Sequence, residues 1–176
     1  MDQRLRTAAL LAAGVIVPDQ ITKAVIQQKY ALWASDTVIP GFFNLVHVLN
    51  KGAAFGFLNR PDTDWQIWFF VAVTIAAVAF IYYLLTTADR GDRFFIWGLG
   101  LILGGALGNL IDRLRTGLVV DFLDFYVGGY HWPAFNVADI AITCGAFAVL
   151  ISMYMQNRRE RPARKRRAAQ QPGGGA

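Results

Sequence analysis

Four stretches of the chain are continuously apolar at lengths that suit a bilayer, and the polar residues gather between them. They are residues 7–26, 65–86, 94–111 and 137–155. The second, WQIWFFVAVTIAAVAFIYYLLT, contains no charge. At 1.5 Å per residue it spans about 33 Å, enough for the hydrocarbon core. Trp65 and Trp68 mark one of its interfaces and Tyr82 and Tyr83 the other. The first stretch follows MDQRLR and so resembles a signal peptide, but no small-x-small pattern follows it and helical character continues through Ile21, Val25 and Ile26. It reads as a retained transmembrane helix interrupted by Pro18, whose missing N–H favours a kink. In the third, Gly100, Gly104 and Gly108 recur at the small-xxx-small spacing that lets helices approach closely in lipid. Residues 87–93, TADRGDR, form a short charged turn.

The long segment between the first two stretches has a different pattern. Residues 28–64 carry Pro40, Gly41, Gly52, Gly56 and Pro61 around the run FFNLVHVLN, which is rich in aromatic and branched residues and reads as extended. A small sheet lying on the membrane is expected there. NKGAAF, with Asn50, Gly52 and Phe55, reads as a tight polar turn leading back toward the bilayer, with glycine for positive φ as its simplest explanation. The pattern therefore predicts a mainly α membrane protein of four transmembrane helices with a small extracytoplasmic β-rich loop subdomain at 28–64. Residues 1–156 form the membrane domain, and residues 157–176 a basic, disordered tail.

Composition agrees with a polytopic membrane protein: 55% of the 176 residues are hydrophobic and 16% charged. The mean hydropathy of +0.37 is diluted by the polar loop and the tail. The net charge of +5 is local, since NRRERPARKRR (157–167) holds seven of the seventeen Lys and Arg. Such a block marks a juxtamembrane tail drawn to anionic lipid. Nucleic-acid binding is disfavoured because no stacking surface accompanies it. Cys144, the single cysteine, lies in an apolar run and is expected to pack as a small hydrophobe. His47 and His131 lack ligand spacing, so no metal site is expected. With four spans, both termini share a side. That side carries eleven Lys and Arg and the other five, with Lys23 inside the first span, so both termini are expected in the cytoplasm.

The candidate chemistry lies in residues 104–142, GGALGNLIDRLRTGLVVDFLDFYVGGYHWPAFNVADIAI. Carboxylates sit at the ends of two apolar runs, where an ionisable group costs up to about 2.5–3.5 kcal/mol at a helix centre and less near the end. Asn109, Asp112 and Arg113 fall at i, i+3 and i+4 on one helical face. Arg113 suits a bidentate grip on a carboxylate, and Asp112 suits a structural role balancing Arg113 or Arg115. Asp19 and Lys23, four apart on one face, suit mutual neutralisation, or equally a snorkelling Lys with an interfacial Asp. Asn136 reads as an N-cap with Asp139 at the third helical position, a capping box with Asp in place of Glu. Capping alone would account for Asp139. Asp121 lies among Val119, Val120, Phe122 and Phe125, surroundings that raise a carboxyl pKa. Two carboxyls in unlike settings can divide acid and base roles around one water. Asp124 competes with Asp121, but in an extended segment the two face opposite ways.

The motifs NKGAAF (50–55), GGALGNLIDR (104–113), VVDF (119–122) and PAFNVADIAI (133–142) together resemble the lipoprotein signal peptidases, or signal peptidase II. The resemblance covers roughly residues 15–155 with no departure at a motif position, the basic tail alone being unusual. It implies a membrane aspartic endopeptidase without metal or other cofactor, with Asp121 and Asp139 as the catalytic pair. It implies Asp19, Lys23, Asn50, Asn109, Asp112, Arg113 and Asn136 as support or substrate contacts. The implied substrate is a bacterial prolipoprotein bearing a diacylglyceryl cysteine, cut before that cysteine at the outer face of the inner membrane. Globomycin-type inhibitors are implied ligands, membrane lipid a partner, and a monomer the expected state. The 28–64 loop is expected to lie over the substrate. The rival readings are a small ion- or proton-coupled channel or transporter, because charges in spans often mark ion paths, and a non-enzymatic membrane scaffold.

Overall fold

The computed structural model describes residues 2–52, 65–89 and 91–170. Eight elements follow in chain order: α1 (Gln3–Lys29), β1 (Ser35–Ile39), β2 (Phe43–Asn50), α2 (Trp65–Thr87), α3 (Arg93–Thr116), β3 (Val119–Val127), β4 (Tyr130–His131) and α4 (Val137–Gln170). Four helices are long and apolar enough to cross a membrane, as the hydropathy pattern predicts. Most of their large side chains point outward. Trp65, Trp68, Tyr82 and Tyr83 are all exposed at the two ends of α2.

α3 is the helix the others pack on, and its glycines explain how. A Cβ on Gly100 would lie 3.0 Å from Ala8 Cα, and one on Gly104 would lie 2.8 Å from Ala12 Cα. The expected small-residue face therefore meets α1. Gly98 serves a second face, where a Cβ would lie 2.7 Å from the Gly145 carbonyl oxygen of α4. Without a hydrophobic driving force between helices in lipid, such close backbone approach is a main source of cohesion. α1 runs parallel to α3, since Ala8, Ala12 and Asp19 meet Gly100, Gly104 and Gly108 in order, whereas α4 runs antiparallel to it.

Three features differ from the sequence reading. The sheet is not confined to the 28–64 loop. β2 pairs antiparallel with β3, aligning Val48 with Asp121 and Leu45 with Leu123, in a four-stranded sheet of order β1-β2-β3-β4. The Val- and Phe-rich segment after α3 supplies the partner that a short two-stranded ribbon would need. Pro18 does not interrupt α1, which continues to Lys29, with Thr22 Oγ1 donating to the Pro18 carbonyl at 2.7 Å. α4 continues to Gln170, so residues 157–170 are helical rather than disordered. Arg, Ala, Lys and Gln are good helix formers, and the preceding span already supplies the nucleus. Phe55 and the 53–64 portion of the expected covering loop lie outside the described residues.

Candidate active site

The sheet and the ends of α1, α3 and α4 bring the polar residues of the motifs to one end of the bundle. β3 carries Asp121 into that junction. Its backbone is extended between β2 and the 133–136 segment, where Phe122 and Leu123 N–H groups donate to the Phe135 carbonyl at 3.0 and 2.9 Å. Asp121 is 3% exposed. Its two oxygens accept from different asparagines, Oδ1 from Asn136 Nδ2 at 2.7 Å and Oδ2 from Asn50 Nδ2 at 3.0 Å. Asn50 also closes an Asx turn, its Oδ1 accepting the Gly52 N–H at 2.8 Å.

Asp139 arrives from the other side, on the first turn of α4. The capping box forms as read: Asn136 Oδ1 accepts the Asp139 N–H at 3.0 Å, and Asp139 Oδ2 accepts the Asn136 N–H at 3.2 Å. Capping does not use the whole carboxylate, because Oδ1 turns to Asn109 Nδ2 at 2.9 Å. Asn136 thus touches both acids, one through its side-chain amide and the other through its backbone.

Asp121 and Asp139 line a common cavity of about 380 Å³, with Asn50, Asn109 and Arg113 among its polar side chains. Trp132, Pro133, Ala134, Phe135, Ile140, Thr143 and Cys144 form its apolar and small-residue walls. The Asp121 carboxyl is pushed up to about 7, first by burial and then by the neighbouring charge of Asp139, against the lowering effect of its hydrogen bonds from Asn50 and Asn136.

Beneath the acids lies a second layer. Lys23 Nζ pairs with Asp19 at 2.9 Å and with Asp112 at 2.8 Å, and donates to Asn109 Oδ1 at 2.8 Å. Lys23 is 2% exposed and Asp19 fully buried, so the lysine does not snorkel. Asp19 Oδ1 also accepts the Ala138 N–H of α4 at 2.9 Å. Asp112 therefore pairs directly with Lys23, its side chain turning inward to α1, while its charge reaches Arg113 from a distance and Arg115 extends toward Gln20 Oε1 at 3.5 Å. Among the described residues Arg113 makes no bidentate grip on a carboxylate. Its Nη2 donates to the Gly52 carbonyl at 2.9 Å, and its guanidinium stacks on Phe70, 4.8 Å from the ring centroid. That joins Gly52 and α2 to α3.

Asp124 takes no part in the cavity. It accepts from Asn44 Nδ2 at 2.8 Å and pairs with His131 at 2.9 Å, three residues along β3 and on the other face. Sequence reasoning missed Gln20, whose Nε2 donates to Asp112 Oδ1 at 2.9 Å and Gly108 O at 3.2 Å. Its only signal was its place beside Asp19. Cys144 is exposed at the cavity edge and not packed away, because it lies one turn beyond Ile140 on the face of α4 that lines the cavity.

Residues 11–155 match the family described as Signal peptidase (SPase) II. A lipoprotein signal peptidase of Maridesulfovibrio salexigens is 60% identical over 147 residues, covering 84% of this chain and 94% of that protein. Its counterpart in Oleidesulfovibrio alaskensis is 51% identical over 154 residues, 88% of this chain and 98% of that protein. A solved structure described as a bacterial membrane enzyme is 34% identical with a TM-score of 0.79, covering 88% of this chain and 91% of the other. A second of the same description is 36% identical with a TM-score of 0.73, covering 84% and 92%.

Proposed function

Because the chain belongs to the signal peptidase II family, it is a multi-pass protease of the bacterial inner membrane that removes lipoprotein signal peptides, and we propose that it does so with Asp121 and Asp139 as an acid–base pair acting on one water. The single observation that carries this reading is Asn136, which bonds Asp121 at 2.7 Å and Asp139 at 3.2 Å and so gathers both carboxyls around one residue. The geometry supports the following sequence of steps. Asp139, ionised, takes a proton from the water as its oxygen attacks the scissile carbonyl carbon. Asp121, which holds its proton up to about pH 7, donates it to the carbonyl oxygen. The tetrahedral diol then collapses: Asp139 passes its proton to the amide nitrogen, the C–N bond breaks, and Asp121 recovers a proton from the diol hydroxyl. The products are a signal peptide carboxylic acid and a free amino group, which exchange a proton on release, and both aspartates return to their starting states.

The substrate in this reading is a prolipoprotein with a diacylglyceryl cysteine, cut before that cysteine. The apolar wall of Ile140, Thr143 and Cys144 continues from Asp139 into the spanning part of α4, which suits a lipid-bearing substrate entering sideways from the bilayer. Asn50 and Arg113 line the opposite, polar side. The excess of Lys and Arg at the other end of the bundle favours both termini in the cytoplasm and the acids at the outer face. A monomer with membrane lipid as its surroundings, and globomycin-type inhibitors as occupants of the cavity, belong to the same proposal. The channel reading loses support, because Lys23 of the first span is tied to Asp19 and Asp112 as a closed ion-paired cluster.

The experiment is cleavage of a lipidated precursor peptide by purified enzyme in detergent. Asp121→Asn and Asp139→Asn are each expected to lower kcat by about 10²- to 10⁴-fold while the purified variants remain folded. Cleavage retained in either variant refutes the pair.

A further inference from the structure

Lys23 touches neither acid, yet it joins Asp19, Asp112 and Asn109 beneath them. An ammonium has three donors and no acceptor. Two face Asp19 and Asp112 at 2.9 and 2.8 Å, and the third must meet an oxygen. That oxygen is Asn109 Oδ1 at 2.8 Å. Its choice fixes the amide: with Oδ1 held by the lysine, Asn109 can offer only Nδ2 to Asp139, at 2.9 Å. Asn136 Nδ2 approaches the same Oδ1 at 3.3 Å and so favours the same orientation.

We propose that Lys23 is a positioning residue of the hydrolysis, selecting the orientation of the Asn109 side-chain amide and through it the placement of the Asp139 carboxylate. The inference rests on the acid-pair reading above and extends it to a residue on α1. Asp19 carries the same control to the α4 backbone, since it accepts the Ala138 N–H at 2.9 Å while paired with Lys23. Asp112 carries it toward β3, accepting the Val120 N–H at 3.4 Å next to Asp121. Among the described residues, the charged groups around the acids include Lys23 and Asp19 from α1 and Asp112 and Arg113 from α3. Lys23 favours the ionised form of Asp121. Removing its charge raises the pH at which the pair gives up its proton.

The test uses the full-length enzyme, the lipidated precursor peptide and the pH dependence of cleavage. Lys23→Met is expected to lower kcat roughly 10- to 100-fold, leave KM within about twofold, and move the pH profile upward by about one unit. Because it leaves two buried carboxylates unpaired, a second variant, Lys23→Met/Asp112→Asn, removes one charge of each sign. It is expected to melt above Lys23→Met, with one uncompensated carboxylate fewer, and still show the fall in kcat. Wild-type kcat in the double variant, or a Lys23→Met profile reduced in height without movement along pH, overturns the positioning role. Absence of cleavage by the wild-type enzyme, or cleavage indifferent to Asp121→Asn, refutes instead the acid pair on which the inference stands.

Discussion

Asp121 shows how much of one side chain's behaviour comes from its neighbours. Burial is the larger cause of its raised pKa, with the charge of Asp139 second. Two consequences follow for pH. If its proton is needed for the chemistry, cleavage falls as pH rises through about 7, and the rate profile of the wild-type enzyme checks this. For stability the sign is worked out from proton binding. Between the ordinary value of 3.8 and about 7, the folded protein holds a proton that the unfolded chain has released. Stability therefore falls as pH rises across that window. Melting temperatures of Asp121→Asn should lose that part of the slope. Among single residues, the capping box of Asn136 and Asp139 and the opposite facing of Asp121 and Asp124 were legible, because each depends only on local geometry. The partner of Asp112 was not. Arg113 and Arg115 were its neighbours in sequence, but the side chain turns to Lys23, 89 residues earlier in the chain and reachable only once α1 and α3 pack.

At the level of elements, the glycine spacing of α3 correctly announced a packing face, while the pattern did not say that the helix has a second. Gly105 tests that second face. A Cβ there would collide with the Ala138 carbonyl oxygen and lie 2.7 Å from Ile142 Cγ1. Gly105→Val is expected to destabilise by at least about 1–3 kcal/mol and to displace the first turn of α4 with Asp139 on it, read as a lower melting temperature in detergent and lost cleavage. Gly14→Ala is the control. No atom lies within 4 Å of a Cβ at that position, and alanine should be neutral or stabilise α1 by up to about 1 kcal/mol. The sheet was half legible for a related reason. FFNLVHVLN reads as a strand by composition, but its register with β3 joins residues some seventy positions apart, which no local pattern encodes.

For the molecule as a whole, length and hydropathy were enough to find all four spans, because the bilayer sets their dimensions. They were not enough to join the site, which draws on α1, β2, β3, α3 and α4 together. Polarity follows from geometry: α4 begins beside the acids and ends in the Arg-rich segment, so the two lie at opposite ends of the bundle. The charge asymmetry then gives a definite expectation. In a Cys144→Ser background, Thr37→Cys on exposed β1 should react with a membrane-impermeant maleimide in intact spheroplasts, and Asn157→Cys only after lysis. The reverse pattern would put the acids on the cytoplasmic side and remove the basis for action on exported precursors.

The Asp19–Lys23 pair bears on biogenesis as well as on chemistry. Its partners on α3 are synthesised nearly ninety residues later, so α1 leaves the ribosome and enters the bilayer without them. One turn of its own helix already supplies the counter-ion. The nascent segment can therefore partition into lipid as an electrically neutral unit, and hold its polar groups in reserve until the third helix arrives to claim them.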